Sequence, residues 1–216
     1  MKRVNLFCGH YGSGKTNIAV NFAKYLHSLG LATAIADIDI VNPYFRTKDS
    51  EDELRQAGIE VVALPFANSG VDLPALPAAV YSLVRRNDRY VVFDVGGDDR
   101  GALALGRYVP DILAENNYDM FFVVNFYRPL TQTPEDALEV MREIEAACRI
   151  PFTAIVNNSN LGAETTAEII EKTGPLAQEL ARRSALPVAM TTAEQSLRYP
   201  GAFSLALQKK IIDSSV

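Results

Sequence analysis

The octapeptide Gly9-His10-Tyr11-Gly12-Ser13-Gly14-Lys15-Thr16 constrains this chain more than any other segment. It joins an apolar run, Val4 to Cys8, to Asn17–Leu29, where Ile18, Phe22, Tyr25/Leu26 and Leu29 recur at helical spacing. A buried strand must therefore hand over to a helix within one glycine-rich turn. Gly30 stands where that helix should be capped. The alternation then continues. Thr33 to Ile38, Ile59 to Leu64, Arg89 to Val95, Met120 to Asn125, Phe152 to Asn157 and Pro187 to Met190 read as strands. Helical patterns fall at 73–85, 101–116, 135–149 and 164–184, with Pro74 and Pro77 confined to the first turn of their helix. The stretch 202–212 reads as a terminal helix. Strands rich in Val, Ile and Phe, separated by amphipathic helices, predict an α/β fold. The expected form is a doubly wound, mostly parallel sheet with helices on both faces, a Rossmann-like three-layer sandwich. With no repeat or linker, residues 1–216 read as a single domain.

The octapeptide matches G-x-x-x-x-G-K-[ST], and its chemistry needs those residues in that order. Glycines let backbone N–H groups crowd around phosphate oxygens with no Cβ in the way. Lys15 then reaches the β- and γ-phosphates, and the Thr16 hydroxyl is placed to ligate Mg²⁺. The helix that follows turns its positive end toward the anion. Gly9, His10, Tyr11, Gly12, Ser13, Gly14, Lys15, Thr16 and Asn17 are therefore the candidate phosphate-binding residues of a P-loop nucleotide-binding domain. The base is read from a later strand end. A guanine site would carry N-K-x-D there, and Asn157-Asn158-Ser159-Asn160 lacks both the lysine and the aspartate, which favours ATP over GTP.

Three carboxylates end predicted strands, where ligands of doubly wound sheets bind. Asp94 follows Val91-Val92-Phe93 as an apolar strand delivering a carboxylate beside Mg²⁺, either as a direct ligand or through water. Asp37 and Asp39 close the second strand, and one of the two is expected to face the nucleotide. Asp39 suits orientation of an attacking water and Asp37 a metal-bound water. Gly96-Gly97 supplies a hinge for closure on a terminal phosphate.

Strand, glycine loop, helix, then Asp37-x-Asp39 and Phe93-Asp94-x-Gly-Gly together resemble the MinD/ParA/nitrogenase-iron-protein group of P-loop ATPases. The resemblance covers Val4 to about Gln195. It implies that Lys15 and Thr16 hold phosphate and Mg²⁺, that Asp39 positions the hydrolytic water, and that Asp37 and Asp94 organise the metal. It further implies that Asn157 contacts adenine, that 191–194 forms a second base-contacting loop, and that a nucleotide-dependent homodimer forms. One departure stands out. The signature lysine of the group, which crosses to the partner's phosphates, falls at His10. A protonated His10, Arg46 and Arg100 are the candidate substitutes, and His10 as plain loop filler is the alternative. The segment Val41-Asn42-Pro43-Tyr44-Phe45-Arg46-Thr47 occupies the first switch position, where Tyr44 and Phe45 either face a partner or close the local core.

Composition narrows the remaining choices. With 21 Lys+Arg against 26 Asp+Glu the formal charge is −5, and the Arg85-Arg86 and Arg182-Arg183 pairs offer few phosphate contacts, so nucleic acid is disfavoured. The 202–212 stretch has only Lys209-Lys210 as cations, too few for a membrane-surface helix. Two cysteines, Cys8 and Cys148, and no secretion signal suit the cytoplasm. The expected activity is slow Mg²⁺-ATP hydrolysis in a switch acting on a protein client. A scaffold without useful turnover, or a small-molecule kinase or ligase using the 65–77 loop as a lid, are the alternatives.

Overall fold

The computed structural model describes residues 1–39, 51–62, 75–97 and 99–207. Eight strands form one all-parallel sheet in the order β3-β2-β4-β1-β5-β6-β7-β8. They are β1 (Val4–Cys8), β2 (Thr33–Asp37), β3 (Glu60–Val62), β4 (Tyr90–Asp94), β5 (Tyr118–Val124), β6 (Ala154–Asn157), β7 (Val188–Glu194) and β8 (Phe203–Leu205). Seven α-helices are described: α1 (Lys15–Ser28), α2 (Glu51–Gln56), α3 (Ala75–Arg85), α4 (Asp99–Gly106), α5 (Val109–Glu115), α6 (Pro134–Cys148) and α7 (Ala167–Ser184).

Strand periodicity explains the two cores. Side chains two apart share a face of the sheet. Leu6, Ala36, Phe93 and Phe122 pack on one side with residues of α3 to α7. Phe7, Ile35, Val92, Phe121 and Val123 pack on the other with Ile18, Phe22 and Leu26 of α1. Both faces are covered, so the central strands read as continuous apolar runs in the sequence. Phe7 stacks on Phe121 at 5.0 Å between ring centroids and meets Phe22 edge-on at 5.2 Å, locking α1 over the centre of the sheet.

Two helical expectations are corrected. The 101–116 pattern is two helices, because Pro110 lacks a backbone N–H and starts a new first turn in α5. The predicted terminal helix contains instead the short strand β8, paired to β7 with Thr192 opposite Phe203. There Leu205 is buried and Ser204 exposed, while Phe203 packs on Phe22 and Tyr25, an alternation of period two. Asn21 of α1 fastens the strand's exit, giving Nδ2 to the Ala206 carbonyl at 3.0 Å and accepting the Ala206 N–H at 2.9 Å. The last residues of the 202–212 stretch lie outside the described residues, as does the 41–47 segment with Tyr44, Phe45 and Arg46. So do residues 65–74 of the 65–77 lid, Asp98 and the side chain of Arg100. No helix among the described residues is long and apolar enough to cross a membrane.

Truncating the ring that joins sheet to α1 should be costly. Phe7→Ala is expected to destabilise the protein by about 3–5 kcal/mol, read as a lowered denaturation midpoint in urea with an unchanged slope.

Candidate functional site

β1 lies between β4 and β5, and the chain leaving its carboxyl end passes straight into the glycine loop. Gly14 caps α1 with φ 90°, a left-handed conformation that disfavours any side chain. The loop closes on itself, with Ser13 N–H donating to the His10 carbonyl at 3.1 Å. Lys15 is buried, and its Nζ donates to the same carbonyl at 3.4 Å. From the other side Asn158 Nδ2 donates to the Ser13 carbonyl at 2.6 Å, while the Thr192 hydroxyl donates to Asn158 Oδ1. The loop is thus clamped to the ends of β6 and β7.

The three aspartates converge beneath it. Asp37 and Asp94 are direct neighbours in the β2–β4 register. Thr16 Oγ1 donates to Asp94 Oδ2 at 2.6 Å, so the first turn of α1 is tied to the end of β4. Asp39 N–H donates to Asp37 Oδ1 at 3.0 Å. Of the two, Asp39 lines the adjoining cavity and Asp37 does not. Residues two apart share a face, and the intervening Ile38 packs into the opposite core. All three carboxylates are buried. Burial pushes the Asp94 carboxyl well above the usual carboxylate range, and the adjacent Asp37 adds to the rise. The Thr16 hydrogen bond and Lys15 oppose it, while Asp39 pushes it further up.

Gly97 explains why the loop after Asp94 is glycine-rich. A Cβ there would lie 2.7 Å from both the Gly9 carbonyl oxygen and Lys15 Nζ, and 2.8 Å from the Tyr11 nitrogen. The backbone at 97 therefore rests directly on the glycine loop.

A cavity of about 380 Å³ opens over this floor. Tyr11, Gly12, Gly14, Lys15, Thr16, Asn17 and Asp39 line one end, with Asn158, Ser159 and Asn160 on the β6 side. Thr192, Ala193, Glu194, Leu205 and Leu207 form its far end; residues 191–194, expected as a loop, are the last residues of strand β7. Gly9, His10, Ser13, Asp37, Asp94 and Asn157 lie outside the lining. His10 Nδ1 donates to the Tyr11 carbonyl at 3.1 Å, keeping the imidazole on its own loop. Asn157 is wholly buried, donating to Thr173 Oγ1 and accepting from Ser159, so at this strand end Asn158 and Asn160 reach the cavity and Asn157 does not. Arg128, in the loop after β5, also lines the cavity. No motif points to it, since a lone arginine in a loop has no spacing to reveal it.

The donor set suits a hard cation. Thr16 Oγ1 and Asp94 supply oxygen only, and buried Asp94 Oδ1 has no hydrogen-bond partner among the described residues. Among those residues no group of three or more His, Cys, Asp or Glu is arranged to hold a metal alone. A cation here would complete its shell with ligand oxygens and water, the habit of Mg²⁺.

A family model, the CobQ/CobB/MinD/ParA nucleotide-binding domain, matches residues 9–172. The chain belongs to this nucleotide-binding family. No curated protein matches its sequence. Among solved structures it is similar to the cell division protein FtsY of Thermotoga maritima, with 17% identity, TM-score 0.61, and coverage of 92% of this chain and 64% of that one. Chloroplast FtsY of Physcomitrella patens gives 16% and 0.62, covering 94% and 63%. The signal recognition particle 54 kDa protein of Aeropyrum pernix, in complex with GDP, gives 16% and 0.58, covering 92% and 43%. At these identities the likeness is one of fold. The chain spans less than two thirds of the length of each of these relatives.

Asp94 separates stability from ligand binding. Asp94→Asn replaces a buried carboxylate by a neutral amide, so the thermal midpoint of the ligand-free protein should hold or rise by a few degrees at neutral pH. Affinity for nucleotide supplied with magnesium should fall by more than about tenfold in calorimetry.

Proposed function

We propose that this chain is a magnesium-dependent ATP-binding protein that hydrolyses ATP slowly and acts as a nucleotide-controlled switch. The observation that carries the reading is the Thr16–Asp94 hydrogen bond at the foot of the glycine loop, beside Asp94 Oδ1, which has no hydrogen-bond partner among the described residues. Bound magnesium would offset phosphate charge and orient the terminal phosphate for in-line attack. Thr16 and Asp94 would hold it, Asp37 steadying the shell from the next strand. Backbone N–H groups of residues 12–16 bind phosphate oxygens, and Lys15 Nζ leaves the His10 carbonyl for the anion. Asp39, at the cavity wall, accepts a hydrogen bond from the attacking water and so aims its lone pair at phosphorus.

Adenine is favoured because Asn157-Asn158-Ser159-Asn160 offers no carboxylate where a guanine site grips the base. A second reading has its own support. Glu194 lines the far end of the cavity, and a carboxylate there can accept the N1–H and N2–H of guanine. The Aeropyrum pernix protein of similar fold holds GDP. Exposed Tyr11 and Leu207 at the cavity wall give a protein client, or a second copy of the chain, apolar surface next to the nucleotide. Free, buried Cys8 and Cys148 suit a reducing, cytoplasmic setting.

Titration with ATP and GTP in the presence of magnesium tests the reading. Wild type is expected to prefer ATP, and Lys15→Ala to lose binding by about a hundredfold or more; equal binding by that variant would overturn the site. Asp39→Ala should keep its affinity while single-turnover hydrolysis slows at least about a hundredfold. Wild-type hydrolysis no faster than that of free ATP would leave a nucleotide-dependent scaffold instead.

A further inference from the structure

Among the described residues the cavity carries little positive charge. Asp39 and Glu194 line it, Asp37 and Asp94 lie outside the lining, and Lys15 is the one described lysine on its wall. A polyphosphate brings several more negative charges, and His10 stands where the signature lysine would have supplied a second cation. Its imidazole does not reach the cavity. Among the described residues Arg128 is the other basic side chain that does.

Arg128 lies flat across the crest of the glycine loop. Its Nε donates to the Gly12 carbonyl at 3.1 Å. A Cβ built on Gly12 would touch Arg128 Nε, Cδ and Cζ at 3.5, 3.7 and 3.8 Å, so the guanidinium rests on the loop in van der Waals contact. Only Nε is used this way. The two terminal nitrogens have no hydrogen-bond partner and no carboxylate within ion-pair distance among the described residues.

The backbone that presents Arg128 is held firmly. Asn125, fully buried, accepts the Tyr127 N–H at 3.0 Å and the Asn160 N–H at 3.3 Å on Oδ1, and gives Nδ2 to the Asn160 carbonyl at 3.2 Å. Its own carbonyl accepts the Arg128 N–H at 3.1 Å and the Thr131 hydroxyl at 2.7 Å. Phe126 N–H adds a bond to Ser159 Oγ at 3.0 Å. Pro129 keeps Arg128 extended, at φ −104° and ψ 141°. A guanidinium with two free N–H edges, on a braced loop beside a phosphate cradle, is a pre-positioned fork for phosphate oxygens.

We propose that Arg128 binds the terminal phosphates of the nucleotide from within the same chain, supplying in cis the cation that a partner's lysine would supply in trans. The inference rests on the nucleotide-binding reading above. Tight binding of the triphosphate then needs no second subunit.

The test compares wild type with Arg128→Ala and Arg128→Lys. Affinities for ATP, ADP and AMP, and for the guanosine series, are measured with magnesium at a protein concentration shown by sedimentation to be monomeric. Arg128→Ala should weaken triphosphate binding by more than about tenfold, diphosphate binding less, and monophosphate binding hardly at all. Arg128→Lys should recover part of the triphosphate affinity. Wild type and both variants should share one thermal midpoint without nucleotide. Unchanged triphosphate affinity in Arg128→Ala would overturn the proposal. An equal loss for tri-, di- and monophosphate, with a lowered thermal midpoint, would also overturn it, because that pattern belongs to a brace for the Gly12 turn. Wild-type protein that binds none of the nucleotides would overturn the nucleotide-binding reading itself, a result distinct from either.

Discussion

β1 runs between β4 and β5, and its last residues fall beside Asp94 on one flank and Phe122 on the other. From that central position the chain turns directly into the glycine loop, so the loop's place is inherited from the sheet register. With α1 starting at Lys15, directly after that loop, the Thr16 hydroxyl in its first turn meets Asp94 at the end of β4. Phe7 fixes the opposite side of the same arrangement, since its ring joins the sheet to α1 through Phe22 and Phe121. Packing and site geometry therefore share their supports.

Electrostatics at this point run against stability. Three carboxylates are buried near one another, and the cost appears as the upward push on Asp94. A chain selected for stability alone would place apolar residues at these strand ends. Concentrated negative charge next to backbone N–H donors and a lysine would suit a cation and an anion bound together. The −5 net charge is compatible with an anionic ligand for the same reason, because the cradle is made of backbone dipoles and a very few placed cations.

Much of this was legible in the residues. The alternation of Val4–Cys8 with a helical stripe, repeated along the chain, predicts the parallel sheet, since strands buried on both faces cannot show polar alternation. The octapeptide predicts its own turn because glycine spacing is local chemistry. Misreadings arose where the pattern was short or the partner distant. Phe203, Leu205 and Leu207 fit a helix nearly as well as a strand over so few residues, and it is Asn21, far back in α1, that secures the strand. Asn157 and Asn158 cannot be told apart by motif, because which one faces the cavity depends on where β6 stops and the backbone turns.

The sequence by itself determined the order of strands and helices, the glycine loop with Lys15 and Thr16, and the strand-ending aspartates. All of these are local: periodicity, turn chemistry and residue type act within a few positions. Only the tertiary structure decided that Asp37, Asp39 and Asp94 converge, that Asn158 clamps the loop, and that Arg128 crosses its crest. Those contacts join residues far apart in the chain, and their distances are set by strand order and register, quantities no local pattern carries.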